Sequence, residues 1–116
     1  MADGETIFSK IARGEIPCDK IFEDDRALAF RDISPCAPSH VLVIPKQPLA
    51  SLLAAAPADE GLLGHLLTVA AEVARLEGLA DSGFRVIINN GRAAGQEVAH
   101  VHLHVIGGRE FGWPPG

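Results

Sequence analysis

The spacing of apolar residues changes several times along the chain, and each change marks an element. Ile7, Phe8, Ile11 and Ala12 recur at helical spacing and stop at Gly14, which predicts a short amphipathic helix closed by the turn from Gly14 to Pro17. From Lys20 to Ile33 two strand-like runs flank the acidic turn Glu23-Asp24-Asp25, with Leu28, Phe30 and Asp32 on one parity, the pattern of a hairpin. Ser34-Pro35-Cys36-Ala37-Pro38 is a stiff connector, because each proline fixes its own φ and biases the preceding residue towards extended geometry. It leads into a strand from His40 to Ile44, which Pro45 and Pro48 end. Leu62, Leu66, Val69, Val73 and Leu76 form one stripe of a long helix spanning Asp59 to Glu77, with Asp59 as N-cap and Gly78 as terminator. Phe84 to Ile88 reads as a strand, residues 90–96 as a glycine-punctuated loop, and Ala99 to Ile106 as a final strand. Strands in hairpin order around one long helix predict an α+β domain on an antiparallel sheet, with strand order left open. No repeat or linker divides the chain, so residues 1–116 are expected to form a single domain.

The final strand carries the most distinctive pattern. Side chains of a strand alternate between faces, so His100, His102 and His104 share one side while Val101, Leu103 and Val105 can enter the core. Imidazole titrates near about pH 6.5, which lets one ring of such a row act as an uncharged nucleophile or base while a neighbour carries a proton. A nucleophilic nitrogen attacking phosphorus would give a phosphohistidine-type intermediate that water resolves. Two blander readings stand beside this one: a metal site, for which no nearby cysteine or obvious carboxylate completes a set, and a solvated polar face.

The surroundings add weight. His40 opens its strand just after the proline-rich connector and reaches the row if the two strands are neighbours. Glycines at 91 and 95 let backbone amides of the loop approach an oxyanion. Asp32, at the end of an apolar strand, suits either a pair of ribose hydroxyls or a turn cap. Phe8, Ile11, Phe30 and Leu42 suit either the wall of an apolar slot or the core, and His65, at the border of the helical stripe, reads as structural. Trp113, in the tail Trp113-Pro114-Pro115-Gly116, is expected to dock against a partner subunit.

Composition narrows the class. With 47% hydrophobic and 22% charged residues the 116-residue chain is a compact domain, and its small size makes dimerisation helpful to stability. A net charge of -5 and scattered basic residues argue against nucleic acid as a partner. No apolar run approaches the roughly 20 residues that span a bilayer, and the start carries Asp3 and Glu5 where a signal peptide carries positive charge. A cytoplasmic protein without membrane contact is expected, with Cys18 and Cys36 unpaired in a reducing compartment.

His100-Val101-His102-Leu103-His104-Val105-Ile106 resembles the signature of the histidine triad (HIT) family. The resemblance continues through Ile7-Phe8, Gly14-Glu15-Ile16-Pro17, Phe30 to Pro38, Val43-Ile44-Pro45, Gly95-Gln96, Gly107-Gly108-Arg109 and the Trp113-Pro114-Pro115-Gly116 ending, and it is similar to the Hint, nucleotide-binding branch. The resemblance implies a five-stranded antiparallel sheet with one long and one short helix, pairing into a ten-stranded sheet in a homodimer. It implies cofactor-free hydrolysis of purine nucleoside phosphoramidates, AMP or GMP amides, through a covalent nucleotidyl-histidine intermediate. His102 would be the nucleophile, His104 and His40 would contact the phosphate and assist proton transfer, and His100 would orient His102 from its backbone carbonyl. Asp32 would hold the ribose, Ile33, Phe30, Phe8, Ile7, Ile11 and Leu42 would surround the base, and Asn89, Gly95, Gln96, Glu97 and Val98 would flank ribose and phosphate.

The chain departs from the family pattern in two places. Glu97 stands where some relatives carry a serine that touches the phosphate, and an acid there repels a phosphate unless it turns to the leaving amine. Thr6 and Ser9 stand where some relatives carry zinc-binding cysteines, so no metal is expected. Two further readings remain open: a nucleotide sensor or scaffold with incidental hydrolysis, and a dinucleoside polyphosphate hydrolase.

Overall fold

The computed structural model describes residues 5–116; the acidic Asp3 of the N-terminal reading lies outside them. Helix α1 (Ile7–Ala12) is followed by strands β1 (Lys20–Glu23), β2 (Ala27–Arg31) and β3 (Ser39–Pro45), helix α2 (Glu60–Leu76), and strands β4 (Phe84–Ile87) and β5 (Leu103–Gly107). The five strands form one sheet in the order β1-β2-β3-β5-β4, antiparallel throughout. This is the α+β architecture expected from the pattern, and it supplies the order that the pattern left open. Inserting β5 between β3 and β4 brings the histidine segment against His40.

Strand alternation divides the sheet into two chemically different faces. Ala27, Ala29, Val41, Val43, Leu103 and Val105 face α2 and pack on Leu66, Val69, Ala70 and Val73. The opposite face carries Leu28, Phe30, Leu42 and Ile44, and α1 covers it only in part with Phe8 and Ile11. Cross-strand partners share a face, and the register Phe30↔Leu42 and Leu42↔His104 sets His104 in line with the apolar residues of this second face. One face is therefore sealed by a long helix. The other is left open enough to receive a ligand.

The helix ends follow from local chemistry. Thr6 caps α1 by accepting the Ser9 N–H, and the Ser9 hydroxyl accepts the Thr6 N–H in return. At the end of α2, Gly78 takes φ +74, the Gly78 N–H bonds the Arg75 carbonyl at 3.0 Å and the Leu79 N–H bonds the Ala74 carbonyl at 2.8 Å. That is a Schellman termination, which turns the chain so that Leu79 re-enters the core.

Three expectations need correction. Asp59 occupies the N-cap position of α2 as expected, but its side chain makes no cap bond to the helix and instead accepts the Ala56 N–H within the preceding turn. The buried stripe of α2 runs through Leu66, Val69, Ala70, Val73 and Ala74, while Leu76 is 55% exposed because the helix rotates that position off the sheet. The last strand starts at Leu103 and not near Ala99: the His100 N–H bonds the Val98 carbonyl and the Val101 N–H bonds Leu49, so residues 98–101 follow a bend of their own.

Chemical unfolding checks the corrected stripe. Leu66→Ala is expected to cost about 2–5 kcal/mol as a cavity beneath the sheet, and Leu76→Ala less than about 0.5 kcal/mol. Equal costs at the two positions would mean that the helix face has been misassigned.

Candidate active site

The open face forms a pocket of about 440 Å³, within the range of small-molecule sites. Phe8, Ile11, Phe30 and Leu42 line its apolar wall, and Ile7 and the 98% exposed Ile33 stand at its rim. Asp32, Asn89, Gly95, Glu97 and Val98 contribute a polar side, and His102 and His104 form the floor. Arg31 and Ser34 also line it, two positions of the Phe30–Pro38 segment that the sequence did not single out as site residues. A wider groove of about 870 Å³ runs beside the β4 edge between Ser82–Arg85 and Gly108–Gly112, and it holds none of the histidines. The smaller pocket is therefore the chemical one.

Hydrogen bonds to groups of fixed polarity determine how each imidazole carries its proton. A carbonyl can only accept, so His100 donates from Nε2 to the Pro45 oxygen at 2.8 Å, and its Nδ1 is left to face the Ser9 hydroxyl at 3.5 Å. His100 is fully buried and takes no part in lining the pocket. Its own carbonyl accepts from His102 Nδ1 at 2.7 Å. That bond assigns the His102 proton to Nδ1 and leaves the lone pair on Nε2. Phe8 packs edge-on against the His102 ring at 5.0 Å and restricts its rotation.

His40 and His104 form a second, directional chain. The Cys36 N–H donates to His40 Nδ1 at 3.1 Å, which puts the His40 proton on Nε2. That nitrogen donates to His104 Nδ1 at 2.9 Å, with an Asp32 carboxylate oxygen 3.4 Å away. His104 must then carry its proton on Nε2, a buried atom without a partner among the described residues. A buried donor left unsatisfied is costly, and here it marks a place for an acceptor on a ligand. Burial lowers the proton affinity of His40 and His100, and burial together with the neighbouring His102 and His40 lowers that of His104 to about 4. All three rings are neutral at pH 7.

Other expected residues fall into different places. Asp32 accepts the Ser34 N–H at 2.8 Å as a turn cap while it also borders the pocket. Gln96 does not line the pocket. Its side chain braces the loop, accepting the Gly91 N–H and donating to Ala50 and Val98 carbonyls. His65 pairs with Asp24 at 2.6 Å, tying α2 to the hairpin turn. Trp113 is 84% exposed. The atoms of Cys36, Pro45 and Ser9 that direct the imidazoles had no sequence signal, since two are backbone groups and the third lies far away in the chain. Asp32, His40 and His104 also present donor atoms all within 4.8 Å of one another. A divalent transition metal could use them only by displacing the proton between the two histidines.

Comparison with known proteins agrees with this geometry. The HIT domain family model matches residues 13–111. An uncharacterized HIT-like protein of Synechocystis is 59% identical over 112 residues, covering 97% of each chain. The crystal structure of a HIT family hydrolase from Legionella pneumophila superimposes with a TM-score of 0.94 at 47% identity, covering 97% of this chain and all of that one. A histidine triad nucleotide-binding protein from Candida albicans does so with a TM-score of 0.81 at 37% identity, over 97% of this chain and 85% of that one. With its sheet order, its histidine segment and most of its length matched, the chain belongs to the HIT domain family.

Proposed function

We propose that this protein is a purine nucleoside phosphoramidase of the Hint branch, hydrolysing AMP or GMP amides with His102 as nucleophile. The observation that carries the reading is the pairing of an unprotonated His102 Nε2 with the unsatisfied His104 Nε2–H in one pocket. The lone pair attacks phosphorus, and the buried N–H binds the charge that grows on a phosphoryl oxygen. As the bond from His102 Nε2 to phosphorus forms, the phosphorus–nitrogen bond breaks and the amine leaves with a proton from solvent. Water then adds at phosphorus, the His102 bond breaks, and the nucleoside monophosphate and one proton are released. The apolar wall of Phe8, Phe30 and Leu42 suits a flat base, and Asp32 at the pocket edge suits a ribose diol.

A homodimer belongs to the same proposal. Strand β4 ends the sheet with one edge unpaired, and the groove beside it exposes Phe84 and the guanidinium of Arg109 stacked on Phe111. Such an edge invites a second β4, which would extend the sheet to ten strands and bring the exposed Trp113 towards the partner. No described helix is long and apolar enough to cross a membrane, in keeping with a cytoplasmic enzyme.

His102→Asn should lower kcat/KM for an AMP amide by about a thousandfold or more while AMP binding persists. Retained turnover would move the nucleophile elsewhere. Uniformly slow turnover of wild-type protein on AMP amides, GMP amides and dinucleoside polyphosphates would favour a nucleotide sensor, and preference for the polyphosphates would favour the other hydrolase. Sedimentation equilibrium should report a dimer, and a monomer at all concentrations would remove that part of the proposal.

Stability should also track the neutral imidazoles. Their folded proton affinities lie below the ordinary 6.5, so the unfolded chain binds more protons in the window between. Stability is then complete above about pH 6.5 and is lost as pH falls towards about 4, with His104→Asn flattening the slope. Urea midpoints that stay constant over this window would contradict the buried, neutral assignment.

A further inference from the structure

The charges bordering the pocket pose a difficulty for any phosphate ligand. Three ionisable side chains other than histidines line it: Arg31, Asp32 and Glu97. Arg31 is already matched, held by both oxygens of Glu77 at 2.5 and 2.9 Å and by Asp19 at 3.3 Å. Asp32 is committed to the Ser34 N–H and to His40. No hydrogen bond or ion pair among the described residues engages the Glu97 carboxylate. The histidine floor offers no positive charge from the low-affinity His104. An anionic nucleotide thus enters a pocket in which Glu97, alone of the three charged side chains, has no hydrogen-bond or ion-pair partner among the described residues.

The loop that carries Glu97 is braced, which keeps this acid at one edge of the pocket. Gly95 takes φ +88, which a side chain rarely adopts, and turns the chain into the segment before His100. Gln96 then donates to the Val98 carbonyl at 3.1 Å and to the Ala50 carbonyl at 2.8 Å, bracketing residue 97 on both sides. Glu97 itself is exposed, at the mouth of the pocket. A substituent displaced from phosphorus must point away from His102 Nε2, and the mouth is the side on which it can leave.

We infer that Glu97 selects substrates whose leaving amine bears a second, cationic nitrogen, so that the site takes nucleoside phosphoramidates of diamines or basic side chains ahead of those of neutral amines. This rests on the phosphoramidase reading above. A cationic leaving group supplies the charge that the pocket lacks, and its attraction to Glu97 offsets the repulsion between Glu97 and the phosphoryl oxygens. Glu97 is here a specificity-determining residue; bond making and breaking stay with His102.

The test compares two substrates of equal length: AMP joined to one nitrogen of putrescine, and AMP n-pentylamide, which lacks the terminal charge. The ratio of their kcat/KM values should favour the putrescine conjugate in wild-type protein and shrink as salt is added. It should fall about three- to fivefold in Glu97→Gln and reverse in Glu97→Lys. A ratio that both variants leave at the wild-type value overturns the inference even if both substrates are hydrolysed. If wild-type protein hydrolyses neither, the phosphoramidase reading fails. Calorimetric affinities for the same two conjugates then give the ratio, and a ratio insensitive to Glu97→Gln overturns the charge selection as well.

Discussion

The contact on which the site depends is the 2.7 Å hydrogen bond from His102 Nδ1 to the carbonyl of His100. An imidazole in water exchanges its proton between two nitrogens and presents either one. Here a carbonyl that can only accept fixes the proton on one side and so fixes the lone pair on the other. The bend of residues 98–101 makes this possible, because it takes His100 out of the regular ladder and points its carbonyl at the ring two residues on. Burial of the His100 ring, bonded to Pro45, keeps that carbonyl from moving. His100 therefore acts at two levels, with its side chain anchoring the bend and its backbone directing His102.

The second chain of hydrogen bonds uses the same logic over a longer path. From the Cys36 amide through His40 to His104, each donor fixes the state of the next ring, and the chain ends on a buried N–H with no partner among the described residues. Desolvation keeps the His40 and His104 rings uncharged, so the chain ends beside His102 on a neutral donor. The sheet order is what joins the two chains. Only with β5 beside β3 does the residue pair Leu42↔His104 form and His40 come within reach of His104. The core below, with α2 on the opposite face, gives that register its rigidity.

Much of this was legible in the sequence where period and chemistry coincide. Both helices, the hairpin at Asp24 and the pairing of polar His with apolar Val and Leu follow from spacing alone. Leu76 misled because a stripe drawn by period does not say where the helix leaves the sheet. The histidine row was read less fully: alternation put three imidazoles on one side of a strand, whereas the bend before Leu103 buries His100 and leaves two in the pocket. Asp32 stayed ambiguous because capping and ligand contact demand the same position. The groups that set proton placement, the Cys36 amide and the Pro45 carbonyl, belong to every residue type and leave no trace in a sequence.

The chemistry of this pocket depends on where one proton sits. Nitrogen NMR of the imidazoles in uniformly labelled protein at neutral pH reads this directly, since protonated and unprotonated ring nitrogens resonate far apart. A protonated Nδ1 and an unprotonated Nε2 at His102 are the expected result. The opposite tautomer, or a ring doubly protonated at that pH, would contradict it.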